Sequence, residues 1–201
     1  MKIICIGDSL TRGFPFDEKY SWPYILGQDE RFETVNMGRS GETSGQILRR
    51  IKGTRNQDFS EGRAGQPERS REIVTAIITA GSNDFIFREN TVDGAFENIR
   101  EIADFCRGGN FVPVIGVPIL CNPSQAAREF MPELGLSYEG VNDMLAELRN
   151  KIIAYGQSEN VRVLDFQERY MSFNKYVDGL HPVKEGYRLF AEVIKEEMGN
   201  D

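Results

Sequence analysis

Short runs rich in Ile and Val alternate with longer amphipathic stretches along this chain, and that rhythm leaves few folds open. The runs are Lys2–Ile6, Thr34–Asn36, Ile73–Thr79, Phe111–Val117 and Val161–Asp165. They show little polar/apolar alternation, which is how strands read when both faces are buried. Between them the helical period takes over. Thr43 and Gln46 match a capping box ahead of Ile47, Leu48 and Ile51. Ala95, Phe96, Ile99, Ile102, Ala103 and Cys106 recur at three- and four-residue steps up to Gly108-Gly109. Val141, Leu145, Leu148 and Ile152 repeat the pattern, and a last helix follows Pro182. Strand, helix and strand in turn predict a three-layer α/β/α sandwich around a five-stranded parallel sheet with right-handed crossovers. No repeat or linker divides the chain, so residues 1–201 are expected to form one domain.

Two segments break the rhythm. Gly53–Ser70 is polar and reads as a surface loop; Pro118–Ser137 mixes Pro, Met and Leu and reads as a long loop that could act as a lid. Composition narrows the function. The net charge of −7 disfavours phosphate backbones and anionic lipid, so neither nucleic acid nor a membrane is expected as a partner. The three cysteines, Cys5, Cys106 and Cys121, form no C-x-x-C pair and are expected to be buried thiols. The apolar run Ile3–Ile6 is too short for a signal-peptide core, and no segment approaches 18 apolar residues, so a cytoplasmic chain is expected.

In open parallel sheets, ligands bind beyond the carboxyl ends of the strands. There this chain carries Gly7-Asp8-Ser9-Leu10, then Asn36-Met37-Gly38-Arg39-Ser40-Gly41, then Gly81-Ser82-Asn83-Asp84, and later Asp178-Gly179-Leu180-His181-Pro182. Dinucleotide, P-loop and G-x-S-x-G fingerprints are all missing, and one histidine makes a zinc site hard to build. What remains is a serine nucleophile. Its hydroxyl needs a base that titrates near neutrality, which is the role of His181, and the imidazole needs an acceptor behind it, which Asp178 can supply. Ser9 and Gly38 N–H groups and the Asn83 amide are candidate oxyanion donors. The flanking groups have ordinary readings: Asp8 and Asp84 as loop-holding acceptors, Asp165 as a cap, Arg12 and Arg39 as solvated charges. Glu133 and Asp143 have no evident partner. Phe14, Phe85, Ile86, Phe87 and Ile119 are candidates for an acyl pocket or for plain packing.

These four blocks, in this order, resemble the SGNH hydrolase superfamily, the GDSL esterases and lipases, across residues 7 to 182. The resemblance implies a flavodoxin-like sandwich and a Ser9–His181–Asp178 triad. It also implies an oxyanion hole from Ser9, Gly38 and Asn83, with no metal or organic cofactor. The expected activity is hydrolysis of small-molecule esters through an acyl-enzyme. A non-catalytic binding module on the same fold is the rival, and it would predict a broken triad. Because little chain is left over to enclose a long acyl group, short acyl chains, acetyl to about hexanoyl, are the expected substrates. Oligomeric state and the natural ester are left open by the sequence.

Overall fold

A computed structural model describes residues 1–53, 73–134, 138 and 140–199, with residues 131–134 described in backbone only. Five strands, β1 (Lys2–Gly7), β2 (Glu33–Gly38), β3 (Val74–Thr79), β4 (Phe111–Gly116) and β5 (Arg162–Leu164), form one wholly parallel sheet in the order 2-1-3-4-5. This is the flavodoxin-like order, whose direction of winding reverses between β1 and β3. Each expected strand is present, with β2 longer and β5 shorter than the sequence indicated.

Helices follow in chain order: α1 (Ser9–Arg12), α2 (Trp22–Leu26), α3 (Ser44–Gly53), α4 (Ser82–Ile86), α5 (Val92–Gly108), α6 (Pro123–Leu134), α7 (Val141–Glu159), α8 (Phe166–Met171) and α9 (Lys184–Met198). Successive side chains of a strand point to opposite faces, so β1 splits its apolar residues between two cores. Ile4 and Ile6 join Val74, Ala76 and Ile78 of β3 under α3, α5 and α7. Ile3, Cys5 and Ile77 turn the other way, onto Trp22, Phe166, Tyr170, Tyr187 and Phe190 of α2, α8 and α9. Burying a side chain such as Ile47 or Ile51, both fully covered, is worth about 1.5–3 kcal/mol. Burial on both faces keeps β1, β3 and β4 mostly apolar, whereas the edge strand β2 is only partly buried and carries Glu33, Thr34 and Asn36.

Local signals explain the helix ends. The Thr43 N–H donates to the Gln46 side chain at 3.0 Å, one half of the expected capping box, while the Thr43 hydroxyl turns to Glu89. α5 stops at Gly108 with Gly109 as its cap. One expectation is corrected: Pro118–Ser137 is not a long loop, because Pro123–Leu134 is helical. The Asn122 side chain accepts the Gln125 N–H at 3.1 Å, and Pro123 occupies the first helical position, where its missing N–H costs nothing. α2 and α8, both short, were also unforeseen. Ser21 caps one and Asp165 the other, through the Tyr24 and Glu168 N–H groups. Of the expected loop Gly53–Ser70, everything after Gly53 lies outside the described residues, as do residues 135–137. No described helix is long and apolar enough to cross a membrane.

Candidate active site

The carboxyl ends of four strands finish in one row: Gly7 pairs with Gly38 and with Thr79, and Thr79 pairs with Gly116. The segments leaving that row build the site. After β1 the chain turns at once into α1, whose N-terminus is capped by Asp8 accepting the Leu10 N–H at 2.9 Å. Ser9 is thereby fixed at the start of the helix, directly beyond the switch point. After β3, Gly81 takes φ +119° and the chain enters α4 with Asn83 in its first turn.

His181 comes from far along the sequence, on the turn that leads into α9. Asp178 shapes this turn: one carboxylate oxygen accepts the N–H groups of Leu180 and His181 at 2.9 and 2.8 Å, and Gly179 takes φ +88°. The other oxygen lies 2.7 Å from His181 Nδ1. On its far side the imidazole places Nε2 2.9 Å from Ser9 Oγ. A carboxylate can only accept, so in the neutral ring Nδ1 carries the proton and Nε2 presents its lone pair to the Ser9 hydroxyl. Ser9 is 7% exposed and Asn83, Asp178 and His181 are each 8% exposed, so the chain of hydrogen bonds runs under the surface with one end in a cavity. Burial pushes the Asp178 carboxyl up, but the hydrogen bond to His181, its charge and the backbone N–H groups outweigh this and hold it below the usual value. Phe14 packs its ring edge-on against His181, with centroids 4.7 Å apart.

The cavity has a volume of about 270 Å³, just below the roughly 300–1,000 Å³ usual for ligand sites. Ser9, Gly41, Asn83 and His181 stand at its polar end, and Leu10, Phe14, Ile86, Phe87, Ile119 and Leu120 are among its apolar walls. Four of the five expected pocket residues are therefore there. Phe85 is not, because its side chain turns into the core beneath α3, α5 and α7.

Gly38 is the residue the structure separates from the others. Its N–H donates to the Asn36 side chain at 3.0 Å, and it does not line the cavity. A Cβ there would fall 2.3 Å from the Arg12 backbone nitrogen, so this glycine lets α1 lie against the end of β2. Gly41, three residues on, lines the cavity, takes φ +80° and has open space around a would-be Cβ. Neither its N–H nor that of Ser9 meets a protein acceptor among the described residues. Asn83 Nδ2 donates to the Glu42 carbonyl at 2.9 Å, which leaves the second amide hydrogen for another acceptor. Glu42 is itself clamped by Arg50 through bonds of 2.9 and 2.7 Å, a support with no signal in the sequence.

The remaining charged candidates have other partners or face solvent. Asp165 caps α8 and receives Arg149 at 2.8 Å. Asp84 accepts the Ser44 N–H and hydroxyl, the loop-holding role expected of it. Arg12, Arg39 and Asp143 are exposed, and the Glu133 side chain lies outside the described residues. Burial pushes the Asp8 carboxyl up to about 6, against the opposing pull of the Leu10 N–H and the His181 charge.

Comparison with known proteins gives the family and the fold. The model of the GDSL-like lipase/acylhydrolase family matches residues 5–189. A member of the lipolytic protein G-D-S-L family from Veillonella parvula superposes with a TM-score of 0.79 at 20% identity, covering 100% of both chains. The M. smegmatis aryl esterase superposes at 0.72 with 18% identity over 99% of this chain and 98% of the other. A carbohydrate acetylesterase family member from Sinorhizobium meliloti gives 0.73 at 17% identity over 98% and 99%. At these identities the structures speak for a shared fold. No curated protein sequence matches the chain.

Proposed function

The chain belongs to the GDSL-like lipase/acylhydrolase family, and from that premise we propose that it is a serine carboxylic-ester hydrolase in which Ser9 is the nucleophile, His181 the base and Asp178 its orienting acid. The observation that carries the reading is the continuous pair of hydrogen bonds, Ser9 to His181 at 2.9 Å and His181 to Asp178 at 2.7 Å, ending in an apolar cavity. Ser9 Oγ attacks the ester carbonyl as His181 Nε2 takes its proton, and the Asp178 carboxylate stabilises the imidazolium that forms. The alkoxide then leaves with that proton from His181. Water, deprotonated by the same nitrogen, releases the acid from the acyl-enzyme.

The oxyanion needs donors aimed at charge that exists only after attack. We assign this role to the Ser9 and Gly41 N–H groups and to the Asn83 amide. Gly41 takes the place expected for Gly38, whose N–H is already given to Asn36. The small cavity supports esters of short acyl chains, since each methylene gains about 0.8 kcal/mol only while apolar wall remains to cover it. The experiment is kcat/KM for p-nitrophenyl esters from acetate to palmitate, with Ser9→Ala beside the wild type. The expected profile rises to about hexanoate and then flattens, and Ser9→Ala loses nearly all turnover. A rise continuing to palmitate contradicts the short-acyl reading, and full activity of Ser9→Ala contradicts the nucleophile.

A further inference from the structure

Two hydroxyls in the cavity wall have no hydrogen-bond partner among the described residues, Ser82 Oγ and the phenol of Tyr138. Tyr138 is the more telling. It lies between α6 and α7, is 4% exposed, and shares its stretch of wall with Leu120, Cys121, Phe130, Leu145 and Leu180. Its backbone is engaged, the carbonyl accepting the Val141 N–H at 3.3 Å, yet no group among the described residues meets its side-chain oxygen. Buried tyrosine hydroxyls normally find a partner, because an unpaired polar group in an apolar setting forfeits its hydration without return. A phenylalanine of nearly the same shape would avoid that cost, so a ligand group is the missing partner with the best physical case. Burial pushes the phenol pKa above its ordinary value, as do nearby Cys121 and Asp178, so at neutral pH the group keeps its proton and can donate it.

We propose that Tyr138 is a specificity-determining residue: its hydroxyl donates a hydrogen bond to an oxygen carried by the acyl or alcohol part of the ester, away from the reacting carbonyl. The inference rests on the esterase reading and names its substrate class, esters that are apolar except for one acceptor set into the chain. A pocket built to pair a polar substrate group discriminates more sharply against an analogue lacking it than an apolar pocket does against a missing methylene.

The test compares matched esters in which an ether oxygen replaces one methylene. The acyl arm sets p-nitrophenyl methoxyacetate, 3-methoxypropanoate and 4-methoxybutanoate against butanoate, pentanoate and hexanoate. The alcohol arm sets 2-methoxyethyl and 3-methoxypropyl acetate against butyl and pentyl acetate. The quantity read is the ether-to-alkyl ratio of kcat/KM in the wild type divided by the same ratio in Tyr138→Phe, which cancels the intrinsic reactivity of each ester. The expected result is a quotient of about ten or more for at least one pair, and the arm in which it occurs says which part of the substrate reaches Tyr138. A quotient near one throughout overturns the proposal, as does an equal fall on every ester, which would place the hydroxyl at the reacting carbonyl. Tyr138→Phe should also leave Tm no lower than wild type, since no protein partner is lost; a fall of several degrees would reveal a structural partner and count against the assignment. Turnover of plain butanoate by the wild type keeps the two readings apart. Where it is present without the quotient, only the specificity proposal fails. Where it is absent, the esterase reading fails and this one with it.

Discussion

The Asp84 carboxylate takes both hydrogen bonds that Ser44 can give, the N–H at 2.7 Å and the hydroxyl at 2.6 Å. That pair joins the start of α3, just after Gly41, to α4, which carries Asn83. Ser44 Oγ in turn accepts from Asn98 at 2.9 Å and so anchors the joint to α5. Asp84→Asn keeps the shape but exchanges one acceptor for a donor facing another donor. It should cost about 1–3 kcal/mol in urea unfolding, the usual penalty for a buried group left unpaired. It should also lower kcat, because the proposed oxyanion donors then lose their common frame. Wild-type stability together with wild-type kcat would show that the two loops are held independently.

The two glycines at and just beyond the end of β2 separate packing from chemistry. In Gly38→Ala the new methyl meets the Arg12 nitrogen at 2.3 Å and the Thr11 carbonyl carbon at 2.8 Å, both backbone atoms that cannot swing aside. A fall in unfolding stability of several kcal/mol is expected, at the scale of overpacking a tight interface or above it. Gly41→Ala has room for the methyl but must hold φ +80°, a strain of about 1–2 kcal/mol. Its main effect should be on kcat, about tenfold or more, as the N–H turns off its aim. Should Gly38→Ala stay as stable as wild type and lose kcat, the oxyanion role returns to Gly38.

Asp8 gives the protein a pH-dependent weakness. Its carboxyl sits at about 6 in the folded state against an ordinary 3.8, chiefly through burial. A raised pKa means that the folded state favours the protonated form. This contribution to stability is therefore complete below about pH 3.8 and is lost as the pH rises through 6. A shift of about two units corresponds to about 3 kcal/mol. Asp8→Asn still offers an oxygen to the Leu10 N–H but has no charge to bury. Its stability relative to wild type should rise between pH 4 and pH 7.5 by an amount of that order, as read from urea midpoints at several pH values. A difference that does not vary with pH would mean that Asp8 is not the group responsible.

Much of this was legible in the sequence, and the parts that were not share a cause. β1, β3 and β4 show because two-sided burial leaves each a nearly unbroken apolar run. Ser9 and Asn83 show because they directly follow strands, whereas His181 shows as the single histidine of the sequence. The block Asn36-x-Gly38-x-Ser40-Gly41 offers two glycines, and spacing does not choose between them. The choice lies in the closeness of Arg12 to one and the positive φ of the other, both tertiary facts. α6 was hidden by Pro123 and Pro132, although Asn122-Pro123 is a recognised way to start a helix. The isolated hydroxyl of Tyr138 has no sequence signal, since whether a tyrosine finds a partner depends on what folds around it.

The central claim is that Ser9, activated by His181, is the nucleophile, and covalent capture tests it most directly. A fluorophosphonate forms a stable bond with an activated serine in place of the acyl group. After reaction, intact mass and peptide mapping should show one adduct per chain, on Ser9, formed much more slowly in His181→Ala and not at all in Ser9→Ala. An adduct on any other residue, or labelling of Ser9 at an undiminished rate without His181, would contradict the account.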